Sequence, residues 1–152
     1  HTRFRNVTGV QTCALPISLR VAQAAATAEW WDGRPFDRIL LDVPCSAAGV
    51  VRRHPDIKWL RRASDIAQFA AQQARLLEAM WPLLVSGGKL LYTTCSIFQE
   101  ENSLQVADFL TRHADAHQLP LCGVQSLAGA PAGQLLPDDE HDGFFYALLE
   151  KS

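Results

Sequence analysis

Apolar and polar residues follow one another along the chain in blocks that predict strand, helix, strand, helix and strand, in that order. The first block, 36–43, contains the continuous apolar run 39–41, which is typical of a parallel strand buried on both faces. Pro44 is expected to end this strand, because proline cannot donate to a central ladder. Alternating strands and helices predict an α/β fold with a mostly parallel sheet and right-handed crossovers. The other predicted strands are 89–94, 143–149 and a short one at 19–22.

Two segments have the period of an amphipathic helix. The first is capped by 64–65 and ended by the glycines 87–88. Its apolar stripe comprises Ile66, Phe69, Ala70, Gln73, Leu77, Trp81 and Leu84. The second begins at 100–102, and its stripe comprises Leu104, Ala107 and Leu110. The Gly- and Pro-rich segment 119–137 is predicted to be irregular.

Length and composition predict a soluble globular protein of one domain. The 152 residues are 48% hydrophobic and 20% charged, and a formal net charge of -2 means that any nucleic-acid contact must use a local patch. No apolar run approaches the roughly 18–20 residues that span a bilayer. The four cysteines lack CxxC spacing, which argues against a disulfide framework, a zinc site or a thiol-redox protein and favours the reducing cytoplasm.

The opening segment, 1–18, has neither helical nor strand periodicity, and the chain begins with His1 instead of Met. The missing periodicity leads us to predict that 1–18 is a non-native leader, and the start at His1 leads us to predict that the chain is a fragment whose native part is 19–152. Cys13 falls within that leader, and Cys122 is expected to be a small buried hydrophobe, as free cysteines usually are.

Two other cysteines each follow a predicted strand and are the best candidates for chemistry. Cys45 lies in the segment 42–46 (Asp-Val-Pro-Cys-Ser), and Cys95 lies in 92–96 (Tyr-Thr-Thr-Cys-Ser). One helical pattern separates them, so in a parallel sheet both thiols lie at the carboxyl edge of neighbouring strands, where ligands bind. Two thiols converging on one crevice indicate catalysis in preference to packing.

Three motifs in this order resemble the RNA cytosine-5 methyltransferase family. They are 42–46, 94–96 followed by Glu101 and Asn102, and 142–145 (Asp-Gly-Phe-Phe). The string Arg-Arg-His-Pro-Asp-Ile-Lys-Trp-Leu at 52–60 looks like one branch, the ribosomal RNA small-subunit methyltransferase B group. The resemblance covers about 30–151. It implies a partial Rossmann-like, S-adenosylmethionine-dependent methyltransferase fold with helices on both faces of the sheet and N-terminal strands missing, so that 19–152 would be the C-terminal part of a catalytic domain.

The same resemblance implies the chemistry. Carbon 5 of cytosine is a poor nucleophile, and a thiolate that adds to carbon 6 activates it. Cys95 would attack and Cys45 would assist product release. Asp42 would lie near the base and the methyl donor, and Pro44 would shape the loop beneath them. The implied cofactor is S-adenosylmethionine, the implied substrate is an unstacked cytosine of small-subunit ribosomal RNA, and the protein is expected to be a cytoplasmic monomer without a metal.

A basic cluster in the predicted loop 47–62 is the candidate RNA contact. A run of charges is usually a solvated surface, but this one follows the Pro-Cys motif at the rim of the pocket, which favours contact with phosphates. Trp59 is expected either to stack on a base or to pack against the following helix, whereas Trp30 and Trp31 are expected to pack. The predicted RNA-binding residues are Arg52, Arg53, His54, Lys58, Arg61 and Arg62.

The sequence lacks the motifs that would bind the cofactor at this site. The family binds S-adenosylmethionine through a Gly-rich turn after its first strand and an acid after its second. No glycine lies in such a turn upstream of Asp42, and 20–28 contains no acid. We therefore expect an exposed apolar edge on the strand 36–43, and weak or no cofactor binding by this chain alone.

Two alternatives remain open from the sequence. DNA cytosine-5 methyltransferases attack with the cysteine of a Pro-Cys motif, which here is Cys45. The chain is also compatible with a truncated, non-catalytic remnant that binds RNA through 52–62.

Overall fold

The computed structural model describes residue 22 and residues 30–121 and 130–152. The predicted leader 1–18, nearly all of the short strand predicted at 19–22, and Cys122 lie outside the described residues. The strands are β1 (Phe36–Asp42), β2 (Leu84–Thr94), β3 (Ala116–Leu119), β4 (Gln134–Leu135) and β5 (Phe144–Lys151). The helices are α1 (Ile57–Leu60), α2 (Ala63–Met80) and α3 (Ser103–Arg112).

The strands form a mixed sheet in the order β1-β2-β5-β3, with β4 also paired to β5. β1 and β2 are parallel, whereas β5 is antiparallel to β2, β3 and β4. The α/β class is confirmed, but the described sheet is not mostly parallel. The reason is that β3, which was not predicted, is the strand parallel to β2, and β5 inserts between them. β5 pairs antiparallel with both β2 and β3, and the described residues between β3 and β5 include no helix that could form a parallel crossover.

One face of the sheet carries the core. Alternate residues of β2 and β5 are buried there, in register, together with apolar side chains of α2 and α3. Both long helices therefore pack on the same face in the described part, whereas the resemblance implied helices on both. The principal core residues are Leu77, Met80, Trp81, Leu90, Tyr92, Val106, Phe109, Phe145, Ala147 and Leu149. Trp30 and Trp31 pack against this cluster, as predicted.

β1 is an edge strand of the described sheet, paired with β2 on one side. Leu41 is buried but Leu40 is 69% exposed, so the run 39–41 is not buried on both faces as predicted. The physical reason is that no described element covers the outer face and free edge of β1. The expected exposed apolar edge is present in the structure.

The bounds of both helices depart from the sequence prediction. α2 ends at Met80 because Pro82 follows in a 3-10 turn. The glycines 87–88, which were expected to end this helix, lie instead inside β2, which begins at Leu84. In α3 the predicted stripe is only partly right: Leu110 packs against the core, but Leu104 and Ala107 are exposed, and Val106 and Phe109 are buried instead. Phe109 docks on Trp81 with ring centroids 5.1 Å apart, and this contact selects the buried face. No helix in the described ranges is long and apolar enough to cross a membrane.

Candidate active site

Two thiols meet where β1 and β2 end. The Sγ atoms of Cys45 and Cys95 lie 3.4 Å apart, and their strands are parallel neighbours in the sheet. Cys95 directly follows β2, and Cys45 follows the short bend that Pro44 makes after β1. The structure thus brings together the two side chains that the sequence placed at one sheet edge.

The two thiols differ in exposure and acidity. Cys45 is buried and Cys95 is half-buried. The hydrogen bond to Cys95 and then burial raise the pKa of Cys45. The same hydrogen bond lowers the pKa of Cys95 to about 7, although burial and the charge of Asp42 oppose this change. Cys95 is therefore the more exposed and the more acidic thiol, and when it ionises the Cys45 thiol is placed to donate a hydrogen bond to it.

A buried carboxylate lies behind the thiols. Glu101 is 0% exposed, and its Oε2 accepts from the hydroxyls of Ser46 at 2.6 Å and Ser96 at 2.5 Å. Its Oε1 accepts from the backbone N–H of Ser46 at 2.7 Å. Ser46 and Ser96 directly follow the two cysteines, so one side chain binds both cysteine loops.

Gln73 connects this network to α2. Its Nε2 atom donates to the carbonyl of Pro44 at 2.9 Å and lies 3.4 Å from Oε1 of Glu101. Gln73 is fully buried, and its Oε1 atom has no hydrogen-bond partner among the described residues. A polar residue in the middle of an apolar helical stripe is the sequence signal that marks it.

Asn102 and Gln134 hold the Cys95 loop from the other side. Asn102 accepts from the Thr94 hydroxyl at 2.6 Å and donates to the Ser96 carbonyl at 2.9 Å and to Gln134 Oε1 at 2.8 Å. Gln134 in turn donates to three backbone carbonyls, those of Ser96, Leu135 and Phe144. All of these side chains are buried, so the loop after β2 is fixed by hydrogen bonds on both sides.

Two glycines bring a third loop against the cysteines. The N–H of Gly49 donates to the carbonyl of Cys95 at 2.9 Å, and the N–H of Gly143 donates to the carbonyl of Gly49 at 2.9 Å. A Cβ atom on Gly49 would lie 2.0 Å from the Gly143 carbonyl oxygen, so any side chain there would push the loops apart. The segment 142–145 of the predicted motif is therefore part of the wall of the site.

The basic segment divides into two sets of side chains. Arg52 and Arg53 bind the carboxylate of Asp142 at 3.2 and 2.6 Å, and Asp142 is itself 2% exposed. Arg52 also donates to the carbonyl of Asp138 at 2.8 Å. Arg61 donates to the carbonyl of Ser46 at 2.9 Å and lies over the ring of Phe69. These arginines hold the Cys45 loop against the rest of the site.

All six basic side chains of the segment are exposed, Arg52 by 50% and Arg53 by 66%, so the two sets differ in their contacts with the protein and not in burial. His54, Lys58 and Arg62 are exposed, and Trp59 is 87% exposed. Trp59 therefore does not pack against the following helix, which was one of its two predicted environments. An exposed indole beside cationic side chains is an arrangement that suits a nucleic-acid base and its phosphates.

Asp42 and Pro44 lie at the mouth of the site and are exposed. The Asp42 Oδ1 atom accepts from the Thr93 hydroxyl at 3.1 Å, and Oδ2 has no hydrogen-bond partner among the described residues. Asp42 thus has acceptor capacity left for a ligand. In the described ranges, no group of three or more His, Cys, Asp or Glu is placed to hold a metal ion.

The chain matches the model of a known family, described as 16S rRNA methyltransferase RsmB/F, over residues 3–150. The chain belongs to that family. Among curated proteins, it is 56% identical over 138 residues to the ribosomal RNA small subunit methyltransferase B of Xanthomonas campestris pv. campestris, covering 90% of this chain and 31% of that protein. It is 50% identical over 152 residues to the protein of the same name from Vibrio cholerae, covering 99% of this chain and 34% of the other. The chain thus spans about a third of the length of these relatives.

Solved structures support the same family and fold. A methyltransferase homolog protein from Pyrococcus horikoshii is 31% identical with a TM-score of 0.69, over 91% of this chain and 46% of that one. The NSun6 protein of Pyrococcus horikoshii, crystallised with SFG, is 29% identical with a TM-score of 0.69, over 88% of this chain and 34% of that one. The predicted resemblance to RNA methyltransferases and the Rossmann-like methyltransferase fold are confirmed.

Proposed function

We propose that the protein containing this chain methylates carbon 5 of a cytosine in small-subunit ribosomal RNA through a covalent adduct with Cys95. The observation that carries the proposal is the pair of thiols 3.4 Å apart at the carboxyl edge of the parallel strands. Cys95, the more exposed thiol, has a pKa lowered to about 7 by its hydrogen bond with Cys45, so much of it is thiolate near neutral pH. The names of the relatives support the ribosomal RNA substrate.

Each residue of the site then has a task. The Cys95 thiolate adds to carbon 6 of the base, which makes carbon 5 nucleophilic. S-adenosylmethionine, when bound, supplies an electrophilic methyl group. Release requires loss of the carbon-5 proton and departure of the Cys95 sulfur. The Cys45 thiol is within hydrogen-bond distance of that sulfur and can stabilise the departing thiolate by donating a hydrogen bond to it, while the carbon-5 proton passes to water or another base.

The described residues fit the base side of this reaction better than the cofactor side. Asp42 offers an exposed carboxylate and Pro44 an exposed ring at the mouth of the site. A Gly-rich turn that could bring backbone amides to a cofactor is not found in 30–121 or 130–152. We therefore propose that S-adenosylmethionine is held largely by parts of the protein outside this chain. Calorimetric titration of the isolated chain should show weak or no binding, and a micromolar dissociation constant would contradict this.

The exposed part of the basic segment is proposed to bind the RNA. Lys58 and Trp59 lie on the short helix α1, which directly precedes the two residues that lead into α2. Their exposure leaves the ammonium group free for phosphates and the indole free for a base. Arg52, Arg53 and Arg61 are already bound to the protein, so we propose that they contribute to RNA binding mainly by holding the loop.

The test uses the full reading frame that encodes this segment. Cys95→Ser is expected to abolish methyl transfer and covalent capture of RNA, whereas Cys45→Ser is expected to accumulate a protein–RNA adduct that survives denaturing electrophoresis. An adduct that accumulates with Cys95→Ser instead would reverse the two roles. RNA and DNA are to be offered separately, because methylation of DNA alone, lost in Cys45→Ser, would support the DNA methyltransferase alternative.

The structure offers less support for the two rivals. The burial of Cys45 and the direction of its pKa shift both make it the poorer nucleophile, which disfavours a DNA methyltransferase that attacks with Cys45. A non-catalytic remnant that only binds RNA remains testable on the isolated chain, where RNA binding without methyl transfer is the result that favours it.

A further inference from the structure

The Glu101 carboxylate accepts hydrogen bonds from both cysteine loops: Oε2 accepts from the hydroxyls of Ser46 and Ser96, and Oε1 accepts from the N–H of Ser46. The two hydroxyls also lie 3.2 Å from each other. Its side chain is bound by Ser46 and Ser96, and its carbonyl accepts from the Tyr92 hydroxyl at 2.8 Å. Gln73 approaches the same carboxylate from α2. Glu101 is thus held from two strand ends and a helix, and it has no exposed surface.

The two serines connect the carboxylate to the course of each loop. The Ser46 hydroxyl donates to Glu101 and lies 3.4 Å from the N–H of Ala48, from which it accepts. The Ser96 hydroxyl donates to Glu101 and accepts from the N–H of Phe98 at 3.1 Å. Each hydroxyl therefore couples the bend that follows its own cysteine to one shared anion. Because Ser46 and Ser96 are adjacent in sequence to the thiols, their separation constrains that of the thiols.

We propose that Glu101 is a positioning residue that sets the separation between the thiols of Cys45 and Cys95. It touches neither sulfur and acts on both through the adjacent serines. The importance of that separation for methyl transfer rests on the function proposed above, but the separation itself can be tested without that reaction.

The direction in which the Cys95 pKa changes when Glu101 is substituted distinguishes a positioning role of Glu101 from a purely electrostatic one. The ionisable groups that act on Cys95 are Cys45, Asp42 and Glu101, and the charges of the last two raise its pKa. Removing the charge of Glu101 without moving the loops would therefore lower the Cys95 pKa further. Releasing the loops would instead weaken the hydrogen bond from Cys45 and raise the pKa towards 9.0, the ordinary thiol value.

The experiment measures alkylation of Cys95 by iodoacetamide between pH 5 and 10, resolved by peptide mass spectrometry, in the full reading frame. Glu101→Gln is expected to shift the apparent pKa upward and to slow alkylation at pH 7 by roughly tenfold, allowing for the greater nucleophilicity of a more basic thiolate. Glu100→Gln is the matched control, since Glu100 is exposed in the same turn and should leave the profile unchanged. An unchanged or lowered apparent pKa in Glu101→Gln would overturn the proposal.

Two further variants keep the test decisive. In a protein that already carries Cys45→Ala, adding Glu101→Gln should not raise the Cys95 pKa, because the hydrogen bond between Cys45 and Cys95 is already absent. An undiminished rise of the Cys95 pKa in that double variant would contradict the proposal. If Glu101→Gln does not fold, Ser46→Ala removes one of the links and should shift the Cys95 profile in the same direction by less, and no shift would overturn the proposal. Methyl transfer by Cys95→Ser would refute the proposed function while leaving the alkylation result intact.

Discussion

Two sets of side chains in one basic segment serve different ends. The inward set is Arg52, Arg53 and Arg61, which are exposed but bind the buried carboxylate of Asp142 or the main chain next to Cys45. The outward set is Lys58 and Trp59 on α1 and Arg62 just before α2, all of them exposed. Both sets come from one short segment of the chain, and they differ in whether the protein supplies a partner for the side chain.

The difference shows what a cluster of cations can and cannot indicate. A guanidinium group next to a buried carboxylate lowers the cost of burying that charge, and its planar donors orient a loop. A solvated ammonium group has no such role and is available to a ligand. If this division is right, variants of the inward set should change stability, and variants of the outward set should change RNA affinity and leave stability unaltered.

The largest effect is expected at Asp142, the carboxylate that Arg52 and Arg53 share. Asp142→Ala should lower the free energy of unfolding by about 2 kcal/mol, because two guanidinium groups lose a charged hydrogen-bond acceptor. Urea denaturation of the full protein measures this. The exposed neighbour Asp139 is the control, and Asp139→Ala should stay within about 0.5 kcal/mol. If both variants lower the free energy of unfolding by the same amount, the ion pairs of the buried Asp142 carboxylate do not contribute the stability expected of them.

The outward set should show its largest effect at Trp59. Trp59→Ala is expected to weaken binding of the substrate RNA about tenfold, since loss of one base–aromatic stack costs roughly 1–3 kcal/mol. Its free energy of unfolding should change by no more than about 0.5 kcal/mol, because the side chain is 87% exposed. Trp59→Phe should restore most of the affinity. A loss of stability without a loss of affinity would place Trp59 in the inward set.

Arg61 and Arg62 are neighbours that belong to different sets, so they form a matched pair. Arg61→Ala should lower the free energy of unfolding by about 1 kcal/mol, since it removes a hydrogen bond to the Ser46 carbonyl and the contact with Phe69. Arg62→Ala should leave stability unchanged in the same denaturation experiment. If Arg62→Ala destabilises the protein as much as Arg61→Ala, the proposed division of the segment fails at this point.

The smallest effect is expected at Lys58. Lys58→Ala should weaken RNA binding by a few-fold and reduce the slope of log affinity against log salt by about 0.7 to 0.9, the value for one phosphate contact. A salt titration of binding, measured alongside the wild type, tests this. Arg53→Ala should leave that slope nearly unchanged, because its guanidinium group is bound to Asp142. A larger slope change for Arg53→Ala than for Lys58→Ala would reverse the assignment.

The sequence predicted the centre of the site well, because that part depends on local rules. A parallel strand pair with a crossover helix brings the residues after its two strands to one edge, and Cys45 and Cys95 are those residues. The sequence was less informative about β3 and about the direction of β5. β3 is a four-residue strand with polar residues and no alternation, so no period reveals it. Without β3, nothing in the sequence predicts that β5 is antiparallel to β2.

Glu101 and Gln73 show, for single residues, that the sequence does not predict contacts between distant segments. Both were visible in the sequence, Gln73 as a polar residue on an apolar stripe and Glu101 as part of a motif. Neither pattern indicates which partners a buried polar group finds, because those partners lie 28 and 55 residues away along the chain. Contacts at such separations depend on how the elements pack, and packing is not a local property.

By itself the sequence determined the element order of the centre of the fold, the edge at which the thiols lie, and the resemblance that names their chemistry. Only the tertiary structure decided which thiol is the more acidic, which arginines are bound to the protein, and which carboxylate connects the two loops. The physical reason is that period and motif are properties of neighbouring residues, whereas burial, hydrogen-bond partners and pKa depend on distances between segments far apart in the chain.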